Sequence, residues 1–222
     1  MSGYPIVLDL RGHLAVVVGG GTVGRRKVAG LLTAGARVRL ISCDPVPPTC
    51  WQAPIELHLR PFHPTDLDGA RLALAATGIA EVDRAVLAAA RERGIPANLA
   101  ADPAAGDFTL PALLRRGDLL IAVATNGRAP ALAAVIRDRL AAGFSPEWAL
   151  AVEIAAQLRT EKLTTSGENV YSYKVLADLL DNGLTDLLTR GTETEIDHLL
   201  TRVCGQGITL AGLGLTLPDR KP

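Results

Sequence analysis

The segment Gly19-Gly20-Gly21-Thr22-Val23-Gly24 carries the clearest chemical signal in this 222-residue chain. Gly19, Gly21 and Gly24 stand at the spacing of a G-x-G-x-x-G turn. In such a turn the first glycine permits a tight bend, the second lets the backbone approach a pyrophosphate, and the third lets the next helix pack closely on the strand. The helix then offers unpaired N–H groups, here around Thr22 and Val23, to phosphate oxygens. The chemistry implied is dinucleotide binding, with NAD as the cofactor. A glycine-rich turn that binds nothing is the competing reading, and the flanking elements weigh against it. A Walker-type loop is excluded, because Arg25-Arg26-Lys27 follows without a second glycine or a hydroxyl.

Dinucleotide folds place an acid about twenty residues past the loop to hold the adenosine ribose. No Asp or Glu ends the second expected strand, and Cys43 and Asp44, after Ser42, come nearest. Asp44 either accepts the ribose hydroxyls or is a solvated turn residue. Arg37 and Arg39 raise NADP as an alternative, but they alternate along a strand and suit solvent or surface acids. His13, His58, His63 and His198 lack metal-ligand spacing, so no fixed metal is expected; His63, beside Pro64, is the best placed for a transient one. No Ser/His/Asp arrangement is visible to carry hydrolytic chemistry.

The elements that must position these residues are legible. Residues 14–18, Leu-Ala-Val-Val-Val, read as a parallel strand covered on both faces. Apolar Val23, Val28, Leu31 and Leu32 recur at helical spacing up to Gly35, and residues 37–41 form a second strand, which completes a βαβ unit. After the break Pro45-Val46-Pro47-Pro48, strands are expected at 55–59, 71–75 and 96–99, with a helix at 79–93. The rhythm then changes. Residues 108–114 and 119–124 around Arg115-Arg116-Gly117-Asp118 read as a β-hairpin, residues 130–142 as a helix, and 148–203 as helices broken near Ser166-Gly167, Asn182-Gly183 and Gly191. The tail after Gly205 lacks periodicity and is expected to be loosely held.

Composition narrows the class. Apolar residues make up 48% and charged residues 21%, with 23 Lys+Arg against 23 Asp+Glu, as in globular proteins. A balanced charge provides no bulk field for nucleic acid or an anionic membrane surface. Three cysteines, Cys43, Cys50 and Cys204, form no C-x-x-C pair, which suits a reducing cytoplasm. No stretch approaches the roughly 18–20 apolar residues of a membrane span, and no leader pattern opens the chain.

Beyond the glycine turn, the chain resembles the precorrin-2 dehydrogenase and sirohydrochlorin ferrochelatase family, the first module of sirohaem synthases. The resemblance runs through Pro5-Ile6-Val7-Leu8-Asp9-Leu10-Arg11-Gly12, the glycine turn with Arg25-Arg26-Lys27, and Leu31-Leu32-Thr33-Ala34-Gly35-Ala36. It continues at Ala75-Ala76-Thr77, Phe108-Thr109-Leu110-Pro111-Ala112 and the stretch from Ile121 to Ala133, with a less distinctive helical remainder around Gln157-Leu158-Arg159.

The resemblance implies an NAD-linked oxidation of precorrin-2 to sirohydrochlorin, in some members followed by metal insertion, in a homodimer whose hairpins and helices interlock. It carries over Thr77 as a cofactor contact and Asn98, Thr125 and Arg128 as substrate contacts. Arg128, Arg137 and Lys27 either hold substrate carboxylates or are ordinary solvated charges. The family motif Asn-Val-Val-Asp-x-Pro reads Asn98-Leu99-Ala100-Ala101-Asp102-Pro103 here, so Ala101 occupies the place of the aspartate proposed as acid/base. Either Asp102 replaces it from one residue on, or that chemistry is weakened. Further departures are Gly78-Ile79 for an acid pair, Asp83 for an asparagine and Ala129 for a serine.

The expected fold is therefore α/β: a Rossmann-type doubly wound parallel sheet, a β-hairpin and helix dimerisation region, and a small helical C-terminal domain, over 1–107, 108–145 and 146–222. The expected function is precorrin-2 oxidation, with a non-catalytic NAD- or tetrapyrrole-binding protein on the same scaffold as the alternative.

Overall fold

A computed structural model describes residues 3–47, 51, 53–161 and 171–217. Two compact units emerge, one of residues 1–110 with 126–129, the other of residues 111–125 with 130–222.

The first unit is the doubly wound sheet. Its elements are β1 (Leu14–Val18), α1 (Thr22–Thr33), β2 (Arg37–Ser42), β3 (Glu56–Leu59), β4 (Ala70–Ala75), α2 (Ala80–Glu92) and β5 (Ala97–Leu99). All five strands are parallel, in the order β3-β2-β1-β4-β5. Strand parity assigns the two faces. Leu14, Val16 and Val18 join Ala73, Ala75, Ala97 and Leu99 under α2, with Val86, Leu87 and Ala90. Ala15 and Val17 join Val38, Leu40, Leu72 and Leu74 under α1, with Val28 and Leu31. Because β1 is covered on both sides, all five of its residues are buried, which is why its sequence is continuously apolar.

The edge at β3 is held by charge. Arg39 donates from Nε to Glu56 at 2.8 Å and from a terminal nitrogen to the Asp66 carbonyl at 2.6 Å, so it is engaged by one acid and one backbone carbonyl of its own unit. Asp66, 4% exposed, accepts from Arg60 and from the His63 N–H at 2.8 Å. The His63 ring caps the 3-10 turn Pro64–Leu67, with Nδ1 2.8 Å from the Thr65 hydroxyl.

The second unit contains the antiparallel hairpin β6 (Ala112–Arg116) and β7 (Leu119–Val123), then α3 (Pro130–Gly143), α4 (Trp148–Glu161), α5 (Tyr173–Asp181), α6 (Leu184–Arg190) and α7 (Glu193–Cys204). Its core collects Ile154, Leu158, Leu179, Leu188, Ile196 and Leu200. Gly183, at φ 83°, separates α5 from α6, and a Thr192–Glu195 capping box opens α7 after Gly191. The break expected at Ser166-Gly167 lies outside the described residues, as does Cys50.

Two expectations are corrected. The hairpin does not begin at Phe108: that residue packs on the α1 face of the first unit, and Pro111, lacking an N–H, precedes the ladder that starts at Ala112. Nor is the tail from Gly205 to Leu217 loose. Leu210 and Leu213 are buried in the helical core, and the Leu210 N–H donates to Asp197 at 2.7 Å, giving the segment apolar anchors that a periodicity test overlooks. No helix among the described residues is long and apolar enough to cross a membrane.

The Arg60 guanidinium and the His63 N–H hold the Asp66 carboxyl below its ordinary range, against the opposing effect of burial. A lowered folded-state value stabilises the fold above the unfolded carboxyl's value and loses that contribution as pH falls through the folded one. Asp66→Asn is therefore expected to lower Tm by a few degrees at neutral pH, and the gap to wild type should close below about pH 4; thermal melts across pH measure it.

Candidate functional site

The carboxyl ends of the strands finish flush. Past the regular ladder, the Gly19 N–H donates to Ile41 O at 2.8 Å, Ala76 N–H to Val18 O at 2.8 Å and Ala100 N–H to Ala75 O at 2.9 Å. Strand order reverses between β1 and β4, since α1 leads to β2 on one side and α2 to β5 on the other. Ligands of doubly wound folds bind at this topological switch point.

The three glycines of the G-x-G-x-x-G pattern have separable reasons. Gly19 has φ 112°, and a Cβ there would collide with the Ala76 carbonyl and lie 2.8 Å from the Thr77 nitrogen. A Cβ on Gly24 would collide with the Gly19 carbonyl oxygen. Gly21 is different: a Cβ there would meet no atom of a described residue within 4 Å. The fold does not need a glycine at that position, whereas a ligand approaching the helix end would. Gly21 is the N-cap of α1, no side chain caps it, and the first turn holds no acid, so the N–H groups of Thr22 and Val23 face outward with the positive end of the helix dipole. The turn thus has the shape and polarity to hold a dinucleotide pyrophosphate.

Around it, tertiary structure assembles residues distant in sequence. Thr77 lies in the turn after β4, against Gly19; its hydroxyl donates to Asp83 Oδ1 at 2.7 Å and accepts from the Ile79 N–H at 3.0 Å, while its own N–H donates to Asp83 at 3.1 Å. Asp83, 3% exposed in the first turn of α2, locks that turn in place. Beyond β2, the Ser42 hydroxyl donates to Asp44 O at 2.8 Å and accepts from the Asp44 N–H at 3.2 Å. Cys43 and Asp44 are exposed there, and the Asp44 carboxylate makes no hydrogen bond to another described residue.

Asn98, mid-strand in β5, is 3% exposed and faces α1. Lys27 Nζ donates to its Oδ1 at 2.7 Å, and its Nδ2 donates to Phe108 O at 2.9 Å. Ala101 and Asp102 are exposed just past the end of β5, and Asp102 Oδ1 accepts from the Ala104 N–H at 3.2 Å, as in an Asx turn. Thr125 belongs to the second unit, and the exposed Arg128 follows Asn126-Gly127, a left-handed pair at φ 50° and 77°. Arg137 pairs with Asp138 at 2.7 Å. Among the described residues no group of three His, Cys, Asp or Glu could hold a metal ion.

The glycine turn, Thr77 and the Cys43–Asp44 turn thus converge on one edge of the first unit. Sequence reading missed the anchoring role of Asp83; its signal was an acid in the first turn of a helix directly after Thr77-Gly78. Gly21→Ala is expected to leave Tm unchanged while raising the NAD dissociation constant about tenfold or more, equivalent to ~1.4 kcal/mol. Gly24→Ala is expected to lower Tm itself; calorimetric titration and thermal melts separate the two.

Comparison with known proteins agrees with this layout. Residues 6–112 match a family described as putative NAD(P)-binding, and residues 116–142 one described as sirohaem biosynthesis protein central. The chain is 38% identical to a siroheme synthase of Methylobacillus flagellatus, covering 99% of this chain and 49% of that protein. It is 33% identical to siroheme synthase 1 of Halorhodospira halophila, covering 93% and 44%. It therefore spans less than half the length of these relatives. In fold it is similar to a structure of SirC, a precorrin-2 dehydrogenase, with a TM-score of 0.69 at 22% identity, over 90% of this chain and 98% of that one. Residues 6–112 thus match a putative NAD(P)-binding family and residues 116–142 the sirohaem biosynthesis central family, in that order along the chain.

Proposed function

We propose that the chain is an NAD-dependent dehydrogenase that oxidises precorrin-2 to sirohydrochlorin in tetrapyrrole biosynthesis, as a cytoplasmic homodimer. The observation that carries this reading is the open approach to the α1 N-terminus at Gly21, on the switch point of a chain homologous to siroheme synthases. When bound, NAD supplies a two-electron acceptor for a ring hydride. The protein's own task is to orient and to accept a proton. The N–H groups of Thr22 and Val23 bind phosphate, Asp44 with Cys43 takes the adenosine ribose, and the Asp83-braced turn at Thr77 shapes the floor. Asp102 takes the proton released with the hydride, while Arg128 holds substrate carboxylates by charge-assisted bonds.

Ala101 favours a second reading, a tetrapyrrole- or NAD-binding protein without turnover, since a methyl group cannot move a proton. Precorrin-2 and NAD incubated with the protein are expected to yield sirohydrochlorin absorption and NADH in equal amounts; NAD binding without turnover selects the second reading. Asp102→Asn is expected to lower kcat by about 10²-fold, the range of a positioned acid/base, and Ala101→Asp to raise it.

The dimer is supported by apolar surface on the hairpin and α3, where Leu113, Leu132 and Val135 are 46%, 53% and 49% exposed. Val135→Asp is expected to shift sedimentation from dimer to monomer.

A further inference from the structure

We propose that Lys27 is a positioning residue of the dehydrogenase site: by gripping Asn98 it fixes the segment 100–107, which carries Ala101 and Asp102, against the helix that presents the phosphate-binding N–H groups. The inference rests on the dehydrogenase reading above.

The geometry is a chain of bonds through the α1 face of the sheet. Lys27 sits in the second turn of α1, and its ammonium reaches across to β5, 71 residues away in sequence, to donate to Asn98 Oδ1 at 2.7 Å. Asn98 passes the link on, donating from Nδ2 to Phe108 O at 2.9 Å. Lysine can only donate and a carbonyl can only accept, so the orientation of this amide is dictated by its two partners. Both ends of the amide are engaged inside the unit, so Asn98 acts on the site by holding structure.

What it holds is a closed loop. The chain leaves β5 at Ala100, whose N–H bonds to Ala75 O, and returns at Asp107, whose N–H donates to Ala97 O at 2.8 Å. The Asp107 carboxylate accepts from the Ala97 N–H at 2.9 Å, and a Cβ on Gly106 would come within 2.9 Å of Ala97 O. The exit and return strands of the loop are thus stitched to β4 and β5, and the Asn98–Phe108 bond closes its base. Lys27 ties that base to α1.

Packing alone does not call for a lysine here. Its neighbour Val28 and the next inward residue, Leu31, are buried and apolar. Burial, together with the Arg26 charge, pushes the Lys27 amine below its ordinary range, so a cation at this position costs stability, and no carboxylate among the described residues pairs with it. A costly charge directed at a single amide is explained by what the amide secures.

The test uses Lys27→Met, which keeps the length and removes the donor, and Lys27→Arg, which keeps a donor, both measured well below Tm. Expected for Lys27→Met are a kcat lowered about tenfold or more, an NAD dissociation constant within about twofold of wild type, and faster amide hydrogen exchange at 100–107 with exchange in α1 unchanged. Lys27→Arg is expected to recover part of the kcat and the exchange protection, which a loss of fold could not do. Unaltered exchange at 100–107, or a kcat equal to wild type despite a lowered Tm, overturns the proposal, as does NAD affinity lost in step with kcat. A wild-type protein that binds NAD without turnover instead overturns the dehydrogenase reading, and the exchange measurement still decides whether Lys27 holds the loop.

Discussion

Backbone packed directly on backbone, at Gly19, is the constraint on which the site depends. The turn after β1 lies against the carbonyl of Ala76, and the first turn of α1 comes down on the carbonyl of Gly19 through Gly24. Any side chain at either point would push α1 away from the strand ends. With none there, the positive end of the helix stands over the place where strand order reverses, and the turn after β4 becomes its wall. Gly21 completes the arrangement for a reason outside the fold, since no described residue comes within 4 Å of where its Cβ would stand.

The polar residues around that turn act chiefly on other parts of the protein. Asp83 holds Thr77, Ser42 holds the Asp44 turn, and Lys27 and Asn98 hold the loop that follows β5. Rigid support of this kind suits a reaction in which the cofactor does the electronic work and the protein supplies orientation. Ala101 stands just past β5, at the start of the supported loop, and the next residue, Asp102, carries a carboxylate that accepts from the Ala104 N–H.

The second unit has a different logic. Its helices bury a leucine-rich core of their own, to which the last segment contributes Leu210 and Leu213, yet the hairpin and α3 leave large apolar side chains exposed. A two-stranded sheet is too small to be stable alone and needs a helix or another chain on its face. Here α3 packs against both strands of the hairpin and meets that need.

By itself, the sequence determined the parallel sheet, the glycine turn and the antiparallel hairpin, because each follows from short-range rules: β-branched runs, residues without a Cβ, and a Gly117-Asp118 turn between apolar stretches. It also carried the resemblance to sirohaem-biosynthesis proteins, since the motifs that mark it are local strings. Only the tertiary structure decided that Asn98 serves Lys27 and Phe108, that Asp83 braces Thr77, and that Arg39 is engaged by Glu56 and by the backbone at Asp66. It also turned the unpatterned tail into core. A side chain's partner is set by which elements lie side by side, and with Lys27 and Asn98 on α1 and β5, 71 residues apart, no local rule could bring them together.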